Sequence, residues 1–359
     1  MRLDGKAWVR LAQLRGRIAV LARGGQYDDA VRRLGELTRF DLAIGLSADG
    51  LLRARQAAAL AEEQGSPTAG PLLGLASALL AAGEYVPALE AAALAIERAR
   101  SGERTRVEVL SRLVGGAAQR RLGRNADARV LLDAARGGAA RIGEAAIAGF
   151  ALVELGWVDL AEQRPVAAGV CLEFGAEFLR RTQQTGAALE ADALAVVCWV
   201  EAGDMATATD RSPKVADAAR AMKRPDVIAF LDGAMADLAL KAGGDAARHA
   251  CALAAESALA LADTPLARDL IAQARLRQVR ASDDPLDRER HLEAGIEVAL
   301  TLERSRAGAR LGSALVGLLG DATAVRPPTR EELRRLGTAL ESLGDPELAE
   351  MARGVLAEL

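Results

Sequence analysis

The sequence predicts an all-α protein, a right-handed superhelical solenoid of stacked antiparallel helix pairs, running as a single repeat domain over residues 1–359. Three observations predict it. A glycine followed five residues later by an alanine recurs at Gly25/Ala30, Gly83/Ala88, Gly123/Ala128, Gly203/Ala208 and Gly344/Ala349, and Gln163/Ala168 keeps the place without the glycine. Ala88, Ala128, Ala168 and Ala208 lie 40 residues apart, with Ala247 following 39 later. A fixed period of this size marks an array of helical hairpins, which can grow long as one unit. The third observation is composition: hydrophobic residues make up 51% and aromatics only 3%, with alanine, leucine, arginine and glutamate prominent. These are strong helix formers, and the β-branched residues are scattered rather than grouped into strands.

In chain order, Gly25, Tyr27, Ala30 and Leu34 read as the turn and second helix of a first pair. The clearest unit runs from Pro71 to Arg100. Leu72, Leu75, Ala76 and Leu79 form one helical stripe, Ala82-Gly83-Glu84 breaks it, and Ala88, Leu89, Ala92, Ala95 and Ile96 form the next. The glycine suits a helix C-terminus, where a left-handed residue satisfies stray carbonyls. The alanine suits a crossing where two backbones approach too closely for a larger side chain. Gly116, Gly123, Ala128, Leu132 and Ala135 carry another copy, and Leu152, Leu155-Gly156 and Ala168 a further one with Pro165 at the turn. Asp263-Thr264-Pro265 with Ala267, Ile271 and Ala274 reads as a second helix. Leu333, Leu336-Gly337, Leu340, Gly344 and Ala349 complete the series.

These residues resemble the tetratricopeptide repeat, whose helix pairs carry a Leu-Gly step in the first helix, Gly-x-Tyr at the turn and alanines in the second. The matches cover about three quarters of the chain. The period departs from the usual 34 residues; the extra six per unit correspond to about one and a half helical turns. Such lengthened units are similar to those of bacterial regulators and some motor-adaptor proteins. Irregular breaks are expected near 210–225, where Asp210-Arg-Ser-Pro213 and Lys223-Arg-Pro225 should shorten the helix after Asp204. Others are expected near 281–286, with Pro285 at a first helical position, and near 321–330, where Thr329 would cap the next helix.

Net charge is −3 with acids and bases interleaved, which predicts no nucleic-acid partner and no anionic membrane surface. The 42 arginines against four lysines read either as forks for ion pairs or, the preferred expectation with this much alanine, as the mark of a GC-rich bacterial genome. Cys171, Cys198 and Cys251, odd in number and set in apolar stretches, read as small core residues of a reducing cytoplasm. The N-terminus lacks the apolar block of a secretion signal, and no apolar run is long enough to span a bilayer.

A search for chemistry finds little. Gly24-Gly25, Gly115-Gly116, Gly137-Gly138 and Gly243-Gly244 lack the Lys-Ser/Thr of a phosphate loop. There is no Gly-x-Ser-x-Gly elbow. His249 and His291 are the only histidines, and no Cys/His pair has metal-ligand spacing. Glu62-Glu63 and Asp283-Asp284 point about 100° apart on a helix and suit solvated surface. The sequence thus predicts no catalysis, no cofactor and no metal.

Counting back from each turn, the resemblance implies that the first helices line an inner, concave face. The residues so placed are Leu73, Ser77 and Leu80; Leu113, Ala117 and Arg120; Val153, Trp157 and Leu160; and Leu194, Val197 and Val200. They either line a mostly apolar trough for another protein or peptide segment or pack against the neighbouring repeat. Trp157 is the candidate anchor. The expected function is a non-catalytic cytoplasmic scaffold or adaptor; the alternative is a regulatory sensor that binds a peptide or small ligand and acts on a separate effector. Leu348, Met351, Val355, Leu356 and Leu359 on the last helix are the candidate surface for self-association.

Overall fold

The computed structural model describes residues 26–43, 47–65, 68–102, 104–261 and 265–299. Among them are fourteen α-helices and no strand. They are α1 Tyr27–Ala43, α2 Ser47–Glu63, α3 Ala69–Ala82, α4 Tyr85–Ser101, α5 Thr105–Arg121, α6 Asn125–Arg141, α7 Ala145–Ala161 and α8 Pro165–Arg181. Then follow α9 Thr185–Ala202, α10 Met205–Ala221, α11 Pro225–Ala242, α12 Gly244–Leu259, α13 Pro265–Ala281 and α14 Pro285–Ala299. The chain divides into two compact units, residues 1–191 and 192–359. The expected features beyond residue 299, including the break near 321–330, the Gly344/Ala349 pair and the last apolar helix, lie outside the described residues.

The helices are nearly equal because their stops are evenly spaced. Gly123, Gly143, Gln163, Gln183, Gly203, Lys223 and Gly243 all have positive φ, each 20 residues after the one before. At Gly123 the amide donates to the Arg120 carbonyl (3.0 Å) and the next amide, Arg124, to that of Gln119 (3.0 Å). The same two bonds recur at Gly83, Gly143, Gln163, Gln183, Gly203 and Lys223. This is the Schellman closure, which satisfies carbonyls that the helix end leaves unbonded. The 40-residue period in the sequence is therefore two helix-and-turn modules of about 20 residues, and glycine marks only some of their turns.

In the first unit each helix packs on its sequence neighbours, and α1, α3, α5 and α7 also pack successively on one another. They form a layer of first helices, with α2, α4, α6 and α8 between them. This corrects the place of Tyr27–Ala43, which is a first helix and not a second one. In the second unit α11 and α13 stack in the same way, so Pro265–Ala281 is likewise a first helix. The misplacement of Tyr27–Ala43 has a physical reason: a small residue at the fourth helical position occurs in both layers. Ala30, Ala148 and Ala188 hold it in first helices as Ala88, Ala128 and Ala168 do in second ones, all of them buried.

Within a pair the crossing is as close as the alanines imply. A Cβ on Gly116 would lie 3.4 Å from the carbonyl of Ala128 and 2.7 Å from the Leu132 side chain. One on Gly156 would lie 3.3 Å from the carbonyl of Ala168 and 2.7 Å from Leu172. Each unit's core is a succession of local clusters, such as Leu51, Ala76, Leu79, Ala88 and Ala118 in the first. Ala229, Ala255, Ala258, Leu270 and Ala274 form one in the second.

The helix after Asp204 is full-length, contrary to expectation. α10 runs through Pro213. The ring removes one backbone donor, but Pro213 is on the exposed side, where the carbonyl left over can turn to water. Asp204 caps this helix by accepting the Thr207 amide at 3.0 Å. The turn at 282–284 is as expected, with α14 beginning at Pro285 and the Asp284 carboxylate accepting the Leu286 amide.

Candidate functional site

In the first unit the first-helix residues divide between packing and surface. Leu73, Ser77, Leu80, Leu113, Val153, Trp157 and Leu160 are all half-buried. Ser77 spends its hydroxyl on the Leu73 carbonyl at 2.9 Å. Leu80 packs on the cluster around Leu79 and Ala88, and Leu113 bridges two clusters across α5, α6 and α7. Val153 sits on Gly175, its methyl 3.0 Å from where a Cβ there would be. Arg120 and Trp157 meet. The guanidinium carbon lies 5.5 Å from the ring centroid, and Nε donates to Glu154 at 2.6 Å. Only 10% of the Arg120 side chain is exposed, and its Nη2 is buried without a hydrogen-bond partner. The aromatic face lowers the cost of burying that cation. Phe150, two turns earlier on α7, is an exposed aromatic.

The second unit carries a cleft of about 310 Å3 on its first-helix face. Three helices line it: α9 with Val197 and Glu201, α11 with Phe230, Ala234 and Asp237, and α13 with Leu270, Gln273, Leu276, Arg277 and Arg280. Arg277 grips Asp237 with two parallel bonds, Nε to Oδ1 at 2.7 Å and Nη2 to Oδ2 at 2.8 Å. Paired donors of this kind are among the stronger and more directional protein hydrogen bonds. The guanidinium lies against Gly233, where a Cβ would come within 2.9 Å of Nη1. Val197, a candidate from the sequence, lies on the wall of this cleft. Leu194 is core at 4% exposure, because residues 193–200 of α9 are all apolar and nearly all buried. Val200 is core as well, and its carbonyl accepts from Lys241 at 2.9 Å.

The titratable groups elsewhere have structural explanations. Asp159 is buried and takes Arg129 (2.8 Å) and Arg164 (2.5 Å) on one oxygen, with the Cys171 thiol 3.6 Å from the other. Burial, reinforced by the Asp159 charge, raises the Cys171 thiol above its ordinary range, and burial pushes Cys251 up to about 11. Neither is an activated thiolate. Asp232 is raised chiefly by burial, although Ser257 donates to it at 2.5 Å. Among the described residues no three His, Cys, Asp or Glu side chains gather into a group that could hold a metal ion, and no helix is long and apolar enough to cross a membrane.

No protein-family model matches the chain, and no curated protein matches it in sequence. Solved structures do. A Rap protein complexed with competence and sporulation factor is 12% identical, covering 98% of this chain and 90% of that one, with a TM-score of 0.54. The chain has a tetratricopeptide-like helical-repeat fold. Yeast Tom70 (11% identity, 97% and 96% covered, TM-score 0.28) and the tetratricopeptide domain of P58(IPK) (14%, 91% and 98%, 0.24) superpose too poorly to bear on it.

The tetratricopeptide-like register shows what a reading of the sequence could have found. Trp157, Val197, Asp237 and Arg277 are 40 residues apart and occupy one position of successive first helices. Extending that count two repeats beyond Val197 reaches the charged pair of the cleft. Glu154 is one turn from Trp157 and was visible on the same count. Gly233 was not, since nothing in the sequence says that an arginine from the next repeat lies on it.

Proposed function

We propose that this protein is a non-catalytic interaction module of the cytoplasm that binds another protein or peptide segment through the first-helix face of its repeats. The cleft of the second unit carries the reading. It joins apolar walls, Val197, Phe230 and Leu270, to a small set of directional polar groups, which is the composition of ligand sites. In the first unit Trp157, Arg120, Glu154 and Phe150 offer an aromatic and a charged group of the types enriched at interfaces. The Rap protein of similar fold was crystallised with competence and sporulation factor, which supports capture of a ligand as a use of this fold. It equally favours the second reading, a sensor that binds a peptide or small ligand and acts on a separate effector.

The test begins with selection of displayed random peptides and protein fragments on the purified full chain. Binders so recovered are then measured against Phe230→Ala, Trp157→Ala and the second-helix control Val130→Asp, with melting temperatures checked. The reading expects Phe230→Ala or Trp157→Ala to weaken binding at least tenfold, with Val130→Asp harmless. Binders that ignore both first-helix variants and are lost with Val130→Asp would overturn it.

A further inference from the structure

We propose that the cleft of the second unit receives an uncharged, extended stretch of a peptide. One leucine- or phenylalanine-sized side chain lies against Phe230 and Leu270, and a backbone carbonyl accepts from the outer edge of Arg277. This rests on the binding reading above and says what is bound.

Charge excludes the alternatives. The acidic groups Glu201 and Asp237 and the basic groups Arg277 and Arg280 cancel around the lining. A ligand carrying net charge would therefore meet as much repulsion as attraction, and a buried charge without a partner is costly. A neutral group that can accept a hydrogen bond meets no such cost. Arg277 has such a bond to give. Its inner edge, Nε and Nη2, is spent on Asp237; Gln273 lies at 3.5 Å from Nη2, and no protein group among the described residues accepts from Nη1. The arginine is 12% exposed, so its remaining donor is held in one place rather than sweeping through solvent.

The array has built this position for a purpose other than packing. At the register of Gly233 the first helices α5, α7 and α9 carry Leu113, Val153 and Ala193; at that of Asp237 they carry Ala117, Trp157 and Val197. α3 carries Leu73 and Ser77 there; α11 has a glycine and an aspartate instead, and Arg277 from the next repeat lies across them. An ion pair whose carboxylate is 45% exposed is weak support for stability, which leaves recognition as the reason for its place.

Size and polarity fix the rest. Phe230 and Leu270 lie seven residues before Asp237 and Arg277 on their helices, about 10 Å along the axis. That is the length of roughly three residues of extended chain. A volume near 310 Å3 is at the small end for ligand sites and admits a side chain with its backbone, not a helix.

The test uses full-length protein and labelled hexapeptides, N-acetylated and C-amidated, with one central residue varied in an alanine background, titrated by fluorescence polarisation. Central Leu and Phe should bind at least tenfold more tightly than central Asp or Lys, with less than twofold change between low and high salt. Arg277→Lys, which keeps the charge but loses the fork, should cost at least tenfold. Gly233→Ala, which pushes Arg277 off the floor, should do the same and serves if the lysine variant does not fold. Preference for an acidic or basic peptide with steep salt dependence overturns the proposal. So does unchanged affinity in Arg277→Lys. If none of these peptides binds while selected partners still do, this inference falls and the binding face stands; if selected partners are also absent, both fall.

Discussion

Gln163, Gln183 and Lys223 hold the left-handed turn position that Gly123, Gly143 and Gly203 occupy elsewhere, with φ of 56°, 60° and 54°. A side chain there is strained, whereas glycine enters that region freely. Each substitution to glycine should therefore stabilise by about 0.5–1 kcal/mol after glycine's greater unfolded entropy is subtracted; thermal melting of the three single variants checks this. The Gln163 turn was legible because Ala168 kept its phase, while Gln183 and Lys223 were not, since neither residue type signals a left-handed turn. His291 offers a second measurement. Burial, with Arg275 close by (3.3 Å from Nδ1), lowers its pKa below the ordinary 6.5. Between 6.5 and the lowered value the unfolded chain takes up a proton that the folded one does not, so stability falls as pH falls through that window. His291→Gln should flatten the melting temperature across it. At the Asp159 site, Arg129→Ala leaves a buried carboxylate with Arg164 as its remaining ion-pair partner, and should cost about 1–3 kcal/mol.

At the scale of the element, the 17-residue helix followed by a three-residue Schellman turn is the unit of construction. It explains why α5 to α8 have the same length although their sequences share little beyond a small residue at the crossing. α7 and α8 approach closely. A Cβ on Gly149 would lie 3.1 Å from the carbonyl of Gly175, and one on Gly175 3.1 Å from that of Gly149. Backbone cannot yield as a flexible side chain does, so Gly149→Ala should cost roughly 1–3 kcal/mol in melting experiments, more than Gly137→Ala, which would meet nothing. The arginine abundance also finds its use here. Arg106 reaches Glu144, Arg120 reaches Glu154, Arg277 reaches Asp237 and Arg248 reaches Asp283, each between different repeats. A genome bias in composition says nothing of these pairings, because which arginine meets which acid depends on how the layers stack.

At the scale of the molecule, the cores are local clusters shared by helices near in sequence. Stability should then be a sum of repeat and nearest-neighbour contributions, with damage spreading weakly. Ala168→Asp should lower hydrogen-exchange protection in α7 and α8 far more than in α1 and α2; equal loss in all four helices would show a single cooperative unit instead. The sequence by itself determined the helical class, the period, the alanine crossings and the glycine turns, because each follows from local chemistry: backbone handedness, helix propensity and the space between two adjacent helices. It also named Trp157, Arg120 and Val197 as candidates, which lie on α7, α5 and α9. Only the tertiary structure decided that Tyr27–Ala43 and Pro265–Ala281 belong to the first layer, that Leu194 is core, that α10 continues through Pro213, and that Arg277 lies over Gly233 against Asp237. Those facts depend on which neighbour covers which face, and residues some 40 positions apart meet only when successive pairs have stacked.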